Sequence, residues 1–297
     1  MHPSPQERGS SCKPPACLPS RTTAVTVIRA TCLTSPHVKS LRFSFAAFLF
    51  FFANFASASV ARSPVSVAAA SNFIYALDDL AAAFQRTAPD VELSLVTGAS
   101  GTLVAQIRHG ARCDVFLSAD REYPEALIAS GHADHSSFTV FAIGRLVLWT
   151  TRTSLALESI PDVVRDSSVR KLAIAHPDTA PYGRAALQVL QALDLHPIAA
   201  PKIVTGENIT QTAQFVETGH ADAGFVALSL VQSPRLKNRG RSLEIPPGLH
   251  LPLEHAAVLT SRGAANPAAR RFLAFLHSEP AREILQRHGY ALPESFP

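Results

Sequence analysis

Four short segments carry residue types that could grip a small anion. Ser71-Asn72 follows a β-type run and opens a helix-type run, and Gly98-Ala99-Ser100-Gly101 does the same. Pro181-Tyr182-Gly183 precedes a helical stretch, with Pro near its start, and Glu207-Asn208-Ile209-Thr210 opens another. At such turns the first backbone N–H groups of the helix have no intrahelical acceptor, and the helix dipole places partial positive charge there. The chemistry this predicts is capture of an anion by neutral donors. Every helix also needs a cap, so each turn on its own is equally suited to capping alone. Spacing by itself leaves open whether the four turns share one site.

Other chemistry is less well served. Gly98-Ala99-Ser100-Gly101-Thr102 resembles a nucleophile elbow, but Thr102 stands where G-x-S-x-G needs its second Gly. An enzyme acting through Ser100 or Tyr182 would also need a His or carboxylate partner, and none lies in the same segments. His132, Asp134 and His135 sit in a polar turn after Gly131, where solvated loop residues are a simpler reading than a metal site. No P-loop, dinucleotide fingerprint, zinc knuckle or H-E-x-x-H occurs.

The elements that must position these turns alternate along the chain. β-type runs are predicted at 65–69, 91–96, 114–117, 145–150, 171–175, 202–204, 223–226 and 256–260. Helices are predicted at 72–86, 102–109, 121–130, 184–193, 209–218, 268–276 and 280–287. This alternation predicts an α/β fold with mainly parallel sheets.

The 297 residues offer room for two lobes. Hydrophobic residues at 47% and charged residues at 17% are enough for a packed core and exclude a disordered chain. The formal charge of +4, taken whole, points to a polyanionic partner. That charge is segregated, however. Residues 1–61 hold six of the 27 basic residues and one of the 23 acidic ones, so the remainder carries −1 and no nucleic-acid partner is expected. The same leader contains an apolar run at 43–55, too short to span a bilayer comfortably. Lys39 and Arg42 precede it, and the small-residue sites Ala56-Ser57-Ala58 and Ser59-Val60-Ala61 follow. Together these predict a secretory signal cleaved after Ala58 or Ala61, with 1–61 removed. Its charged region is long, and a true start at Val38, read from a GTG codon, would make it compact. Cys12, Cys17 and Cys32 lie in the leader, which leaves Cys113 alone in the mature chain as a small buried residue with no disulfide partner.

A longer series of segments resembles the ModA-type periplasmic molybdate-binding proteins. It begins with Val67-Ala68-Ala69-Ala70-Ser71-Asn72-Phe73 and Thr97-Gly98-Ala99-Ser100-Gly101, followed by Asp114-Val115-Phe116-Leu117-Ser118-Ala119-Asp120. It continues through Phe141-Ala142-Ile143-Gly144-Arg145-Leu146-Val147-Leu148-Trp149, Ala180-Pro181-Tyr182-Gly183-Arg184 and Gly206-Glu207-Asn208-Ile209-Thr210. Gly224-Phe225-Val226-Ala227-Leu228-Ser229 comes next, and the series ends at His288-Gly289-Tyr290. The blocks are collinear and cover nearly all of 63–291.

The resemblance implies a type II periplasmic binding protein: two α/β lobes joined by two crossover hinge strands, with an oxyanion closed between them. Lobe 1 would comprise 62–142 plus 251–297, and lobe 2 would comprise 143–250. The family's ligand positions carry over to Ser71 and Ser100 from the first lobe. From the second they carry over to Tyr182 and Ile209, chiefly through backbone N–H groups. Asn72 matches the Asn-Phe version of the first loop as a possible further donor. Some members place a ligand-contacting Tyr where this chain has Ala227, and Tyr182 would have to compensate. The implied ligand is molybdate or tungstate, with no cofactor, and sulfate or another oxyanion is the alternative. The implied partner is the membrane permease of a molybdate ABC importer, and the implied protein is a periplasmic monomer rather than an enzyme.

Overall fold

A computed structural model describes residues 62–293. The expected leader, its expected cleavage after Ala58 or Ala61 and the expected start at Val38 lie outside the described residues. In chain order the strands are β1 (Ser63–Ala70), β2 (Val91–Gly98), β3 (Val115–Leu117), β4 (Thr139–Gly144) and β5 (Leu146–Thr150). β6 (Leu172–Ala175), β7 (Ile203–Gly206), β8 (Ala223–Ala227), β9 (Arg241–Glu244) and β10 (Leu253–Leu259) follow. The helices between them are α1 (Ile74–Thr87), α2 (Ser100–Arg108), α3 (Glu122–Ala129), α4 (Ile160–Arg165) and α5 (Pro181–Ala192). Then come α6 (His196–Ala199), α7 (Ile209–Glu217), α8 (Leu228–Val231), α9 (Pro267–Phe275) and α10 (Glu279–Arg287).

The strands form two sheets, ordered β2-β1-β3-β10-β4 and β7-β6-β8-β5-β9. β3, β6 and β8 are wholly buried runs of small and apolar residues, and β1 is buried from Val67 to Ala70, as expected of strands covered by helices on both faces. Each sheet is mixed. β2-β1-β3 and β7-β6-β8 are parallel, because each strand returns through a helix. β4, β5, β9 and β10 pair antiparallel, because they carry the chain between the sheets and back. The outgoing crossing runs from β4 to β5 through Gly144 and Arg145, and the returning one runs from β9 to β10. Gly144 is in register with Leu253, and Val147 with Glu244, so the two crossings lie side by side. Arg145 and Glu244 form an ion pair beside them.

Fully buried aromatic side chains anchor both bodies, with Phe73, Phe116, Phe141 and Phe272 around the first sheet and Trp149 and Phe225 in the second. α9 packs on β1 and β10, and α10 on α1, so both of these helices pack with elements of the first sheet's side. Beyond α10, Ala291 exchanges two backbone hydrogen bonds with Ile143, at 2.7 and 3.0 Å, which ties the C-terminal segment to the outgoing crossing.

Some elements escape the periodicity. β9 is an exposed edge with the polar sequence Arg-Ser-Leu-Glu, so no apolar alternation marks it. α6 and α8 are four residues long, little more than one turn. Two helix starts also differ usefully from expectation. A 3₁₀ turn, Ser71–Phe73, precedes α1, and α2 begins at Ser100 itself rather than at 102.

Candidate functional site

The strand-to-helix turns of β1, β2, β6 and β7 all open at the carboxyl ends of their strands, and the two sheets face these ends towards each other. Ser71, Asn72, Ser100, Tyr182 and Ile209 are thereby brought to one small cavity, walled otherwise by small residues such as Ala99 and Ala119. No Asp, Glu, Lys, Arg or His is among the residues that line it.

Local capping decides which donors remain free. At α5 the Ala180 carbonyl accepts the N–H groups of Gly183 and Arg184, and Pro181 has none, which leaves the Tyr182 N–H without an acceptor in the helix start. At α7 the Asn208 side chain accepts from Thr210 and Gln211, both at 3.0 Å, which leaves the Ile209 N–H outside the cap. Ser100 Oγ accepts the Ala119 N–H at 3.2 Å, so its own proton is free to be donated. Ser71 Oγ is buried with no hydrogen-bond partner among the described residues. A buried hydroxyl in that position costs about 1–3 kcal/mol unless something else pairs with it. Two hydroxyls and two helix-start amides, held on four elements, are an arrangement that can donate hydrogen bonds to a small oxyanion.

Asn72 behaves differently from the expected donor. Its Nδ2 donates to Tyr290 Oη at 2.9 Å and lies 2.9 Å from His255 Nε2. His255 Nδ1 is 2.9 Å from the Leu253 carbonyl, which can only accept, so Nδ1 carries the proton and Nε2 accepts from Asn72. Both amide hydrogens of Asn72 are therefore used beneath the cavity, and the atom left without a partner among the described residues is the acceptor Oδ1. The Asn72 carbonyl accepts from Tyr290 Oη and Ser229 Oγ, each at 3.0 Å. Phe73 stacks on Phe141 and Tyr290, with centroids 5.4 and 5.1 Å apart, and meets the His255 ring edge-on. The Ser71–Phe73 turn is thus braced from below. The Tyr182 ring also packs on His255, at 5.9 Å, and its hydroxyl is buried and unpartnered among the described residues. Burial, with Tyr290 nearby, pushes that phenol well above its usual range.

Burial also pulls the His255 imidazole down, to about 3. The unfolded chain would protonate this group near 6.5, so its contribution to stability is fully present above that pH and is lost as pH falls towards 3. We expect this one group to remove about 2 kcal/mol of stability between pH 7 and pH 5. Urea titrations at the two pH values should show that loss in the wild type and a smaller one in His255→Gln. Equal losses would mean that His255 is not held neutral.

Several contacts cross the cleft beside the cavity. Gly101 N–H donates to the Thr179 carbonyl at 2.9 Å, Thr210 Oγ1 to the Ser71 carbonyl at 2.9 Å, and Tyr123 Oη to the Asp178 carbonyl at 2.8 Å. Ala227 is fully buried at the end of β8, and Ser229, two residues on, makes the tie to the first loop. His255, Tyr290 and Ser229 reach the site from outside the four helix-start turns. A His inside the apolar run Leu253-Glu254-His255-Ala256-Ala257-Val258-Leu259 was the available signal, since a buried polar ring must have partners.

The remaining polar candidates sit elsewhere. Asp134 accepts from the backbone N–H and hydroxyl of Ser136, at 3.0 and 2.8 Å. Among the described residues no three His, Cys, Asp or Glu side chains are placed to hold a metal ion. Cys113 is buried, and that burial pushes its thiol up to about 12.

Two lobes on crossed strands, with anion donors at opposed helix starts, define a solute-binding protein. Residues 65–291 match the bacterial extracellular solute-binding protein family, and the chain belongs to it. It is 37% identical over 230 residues to the molybdate-binding protein ModA of Azotobacter vinelandii, covering 77% of this chain and 90% of that protein. It is equally similar, 37% over 231 residues, to ModA of Rhodobacter capsulatus, covering 77% of this chain and 89% of that one. The solved Azotobacter vinelandii periplasmic molybdate-binding protein superposes with a TM-score of 0.73 at 33% identity, covering 77% of this chain and all of that chain.

Proposed function

We propose that this protein captures molybdate, and tungstate with it, outside the cytoplasmic membrane and delivers it to the permease of an ABC importer. The observation that carries the proposal is the meeting of Ser71, Ser100, Tyr182 and Ile209 at one small cavity without charged side chains. A buried tetrahedral dianion loses several kcal/mol or more of hydration. Charge-assisted hydrogen bonds contribute roughly 1.5–3 kcal/mol each, so about six neutral donors could replace its water shell. The similarity to the two ModA proteins supports molybdate over other oxyanions. The lobes of this proposal are 62–142 with 251–297, and 143–250, and the division of the strands into two sheets supports that boundary. Closure would be favoured by the anion, because only the closed arrangement brings both lobes' donors to it. The secretory leader, periplasmic location and monomeric state belong to the same proposal, in which the protein transports its ligand rather than transforming it.

A thermal-shift series with molybdate, tungstate, sulfate and phosphate tests it. A ligand at 100 times its Kd stabilises by about 2.7 kcal/mol, which for a chain of this size is a rise of roughly 5–10 °C. We expect that rise with molybdate and tungstate and a smaller one with sulfate. Hydrogen phosphate carries a proton that a backbone N–H cannot accept, and a Ser71 or Ser100 hydroxyl that took it would use the anion as a donor rather than a charged acceptor, so it should give the least. No shift with molybdate would defeat the proposal.

A further inference from the structure

Arg184 stands two residues beyond Tyr182 on α5, and Asp120 directly follows Ala119, whose N–H holds Ser100 Oγ. Across the cleft, Arg184 Nη2 donates to Asp120 Oδ2 at 2.8 Å, and Nη1 donates to the Glu122 carboxylate. The guanidinium carbon lies 5.6 Å from the centre of the Tyr123 ring, whose hydroxyl reaches back to Asp178. One side chain of the second lobe thus engages three residues of the first, outside the cavity. A Lys could not span both carboxylates with a single planar fork.

Asp120 is the unusual member. Its side chain is 12% exposed against 58% for Glu122. Its Oδ1 accepts from the Ser118 hydroxyl at 3.1 Å and the Tyr123 N–H at 3.2 Å. Even so, burial holds its carboxyl above the ordinary range, so the surroundings of the closed cleft are dry enough to disfavour the ionised form. Opening the cleft would rehydrate this carboxylate, whereas closing it without Arg184 would bury a charge with no counter-ion.

We propose that the Arg184–Asp120 pair is a clasp that sets how readily the lobes close, and so the apparent affinity and release rate, without touching the anion. An affinity measured for a closed complex scales with the fraction of protein able to close. The affinity arm rests on the anion-site proposal, whereas the closure arm does not.

The test uses Arg184→Gln, Asp120→Asn and the double variant in the mature protein, with small-angle scattering in the absence of anion and molybdate titration and release kinetics. Arg184→Gln should enlarge the anion-free radius of gyration and weaken molybdate binding about tenfold, mostly through faster release. The double variant should recover most of both effects, because no charge is then left to bury. Unchanged scattering together with unchanged affinity in Arg184→Gln would overturn the clasp. So would a double variant no better than Arg184→Gln alone. A wild type that ignores molybdate while the variants still differ in scattering would keep the clasp and defeat the anion assignment.

Discussion

Ser100→Ala is expected to weaken molybdate binding by about one to two orders of magnitude, the effect of removing one donor to a charged acceptor. Ser100 is 1% exposed, at the first position of α2, so its hydroxyl proton has little competition from solvent. The fold should survive, since Ala suits a helix start and the methyl fits within the space already filled. The structural loss is the acceptor for the Ala119 N–H, about 1 kcal/mol. Ser71→Ala provides the contrast. Its hydroxyl serves no described protein group, so the same binding defect should come with no loss of stability in the anion-free protein. Calorimetric titration and thermal melts of the two variants separate these effects. An unchanged titration for Ser100→Ala would refute its assignment as a ligand.

Gly183→Ala is expected to destabilise the protein by about 3 kcal/mol, a fall of roughly 6–12 °C in melting temperature, and to impair binding as well. Helix propensity alone argues the opposite sign, because Ala in a helix interior is about 1 kcal/mol better than Gly. The close approach of α5 to β6 reverses it. A Cβ on Gly183 would lie 2.1 Å from the Ala175 carbonyl oxygen, 2.6 Å from its carbon and 3.1 Å from the His176 carbonyl carbon. These are backbone atoms of the last residue of β6 and the residue after it, and they cannot swing aside as a side chain could. The start of α5 must lift, and the Tyr182 N–H lifts with it. A melting temperature equal to or above that of the wild type would show that the helix does not approach the strand this closely.

Much of this protein was written in short-range pattern. Buried strands of Val, Ala and Leu and helices of period 3.6 marked the α/β alternation. The helix starts at Ser71, Ser100, Tyr182 and Ile209 could be picked out because capping is local chemistry, settled within three or four residues. The collinear resemblance then joined them into one expected site, and the structure brings all four to the same cavity together with Asn72. The positive charge of residues 1–61 could be separated from the rest in the same way, by simple position along the chain.

What pattern could not supply were partners set by folding. Asn72 looked like another donor, yet its amide faces His255 and Tyr290, which stand 183 and 218 positions further along. Arg184 and Asp120 are 64 positions apart and meet only because β6 and β3 end on opposite sides of one cleft. β9, exposed and polar, becomes a strand because β5 offers it an edge. A hydrogen bond or ion pair between distant positions leaves no period in the sequence, so the hydrogen-bonding direction of Asn72 and the contacts that close the cleft were decided by the packing of the two sheets.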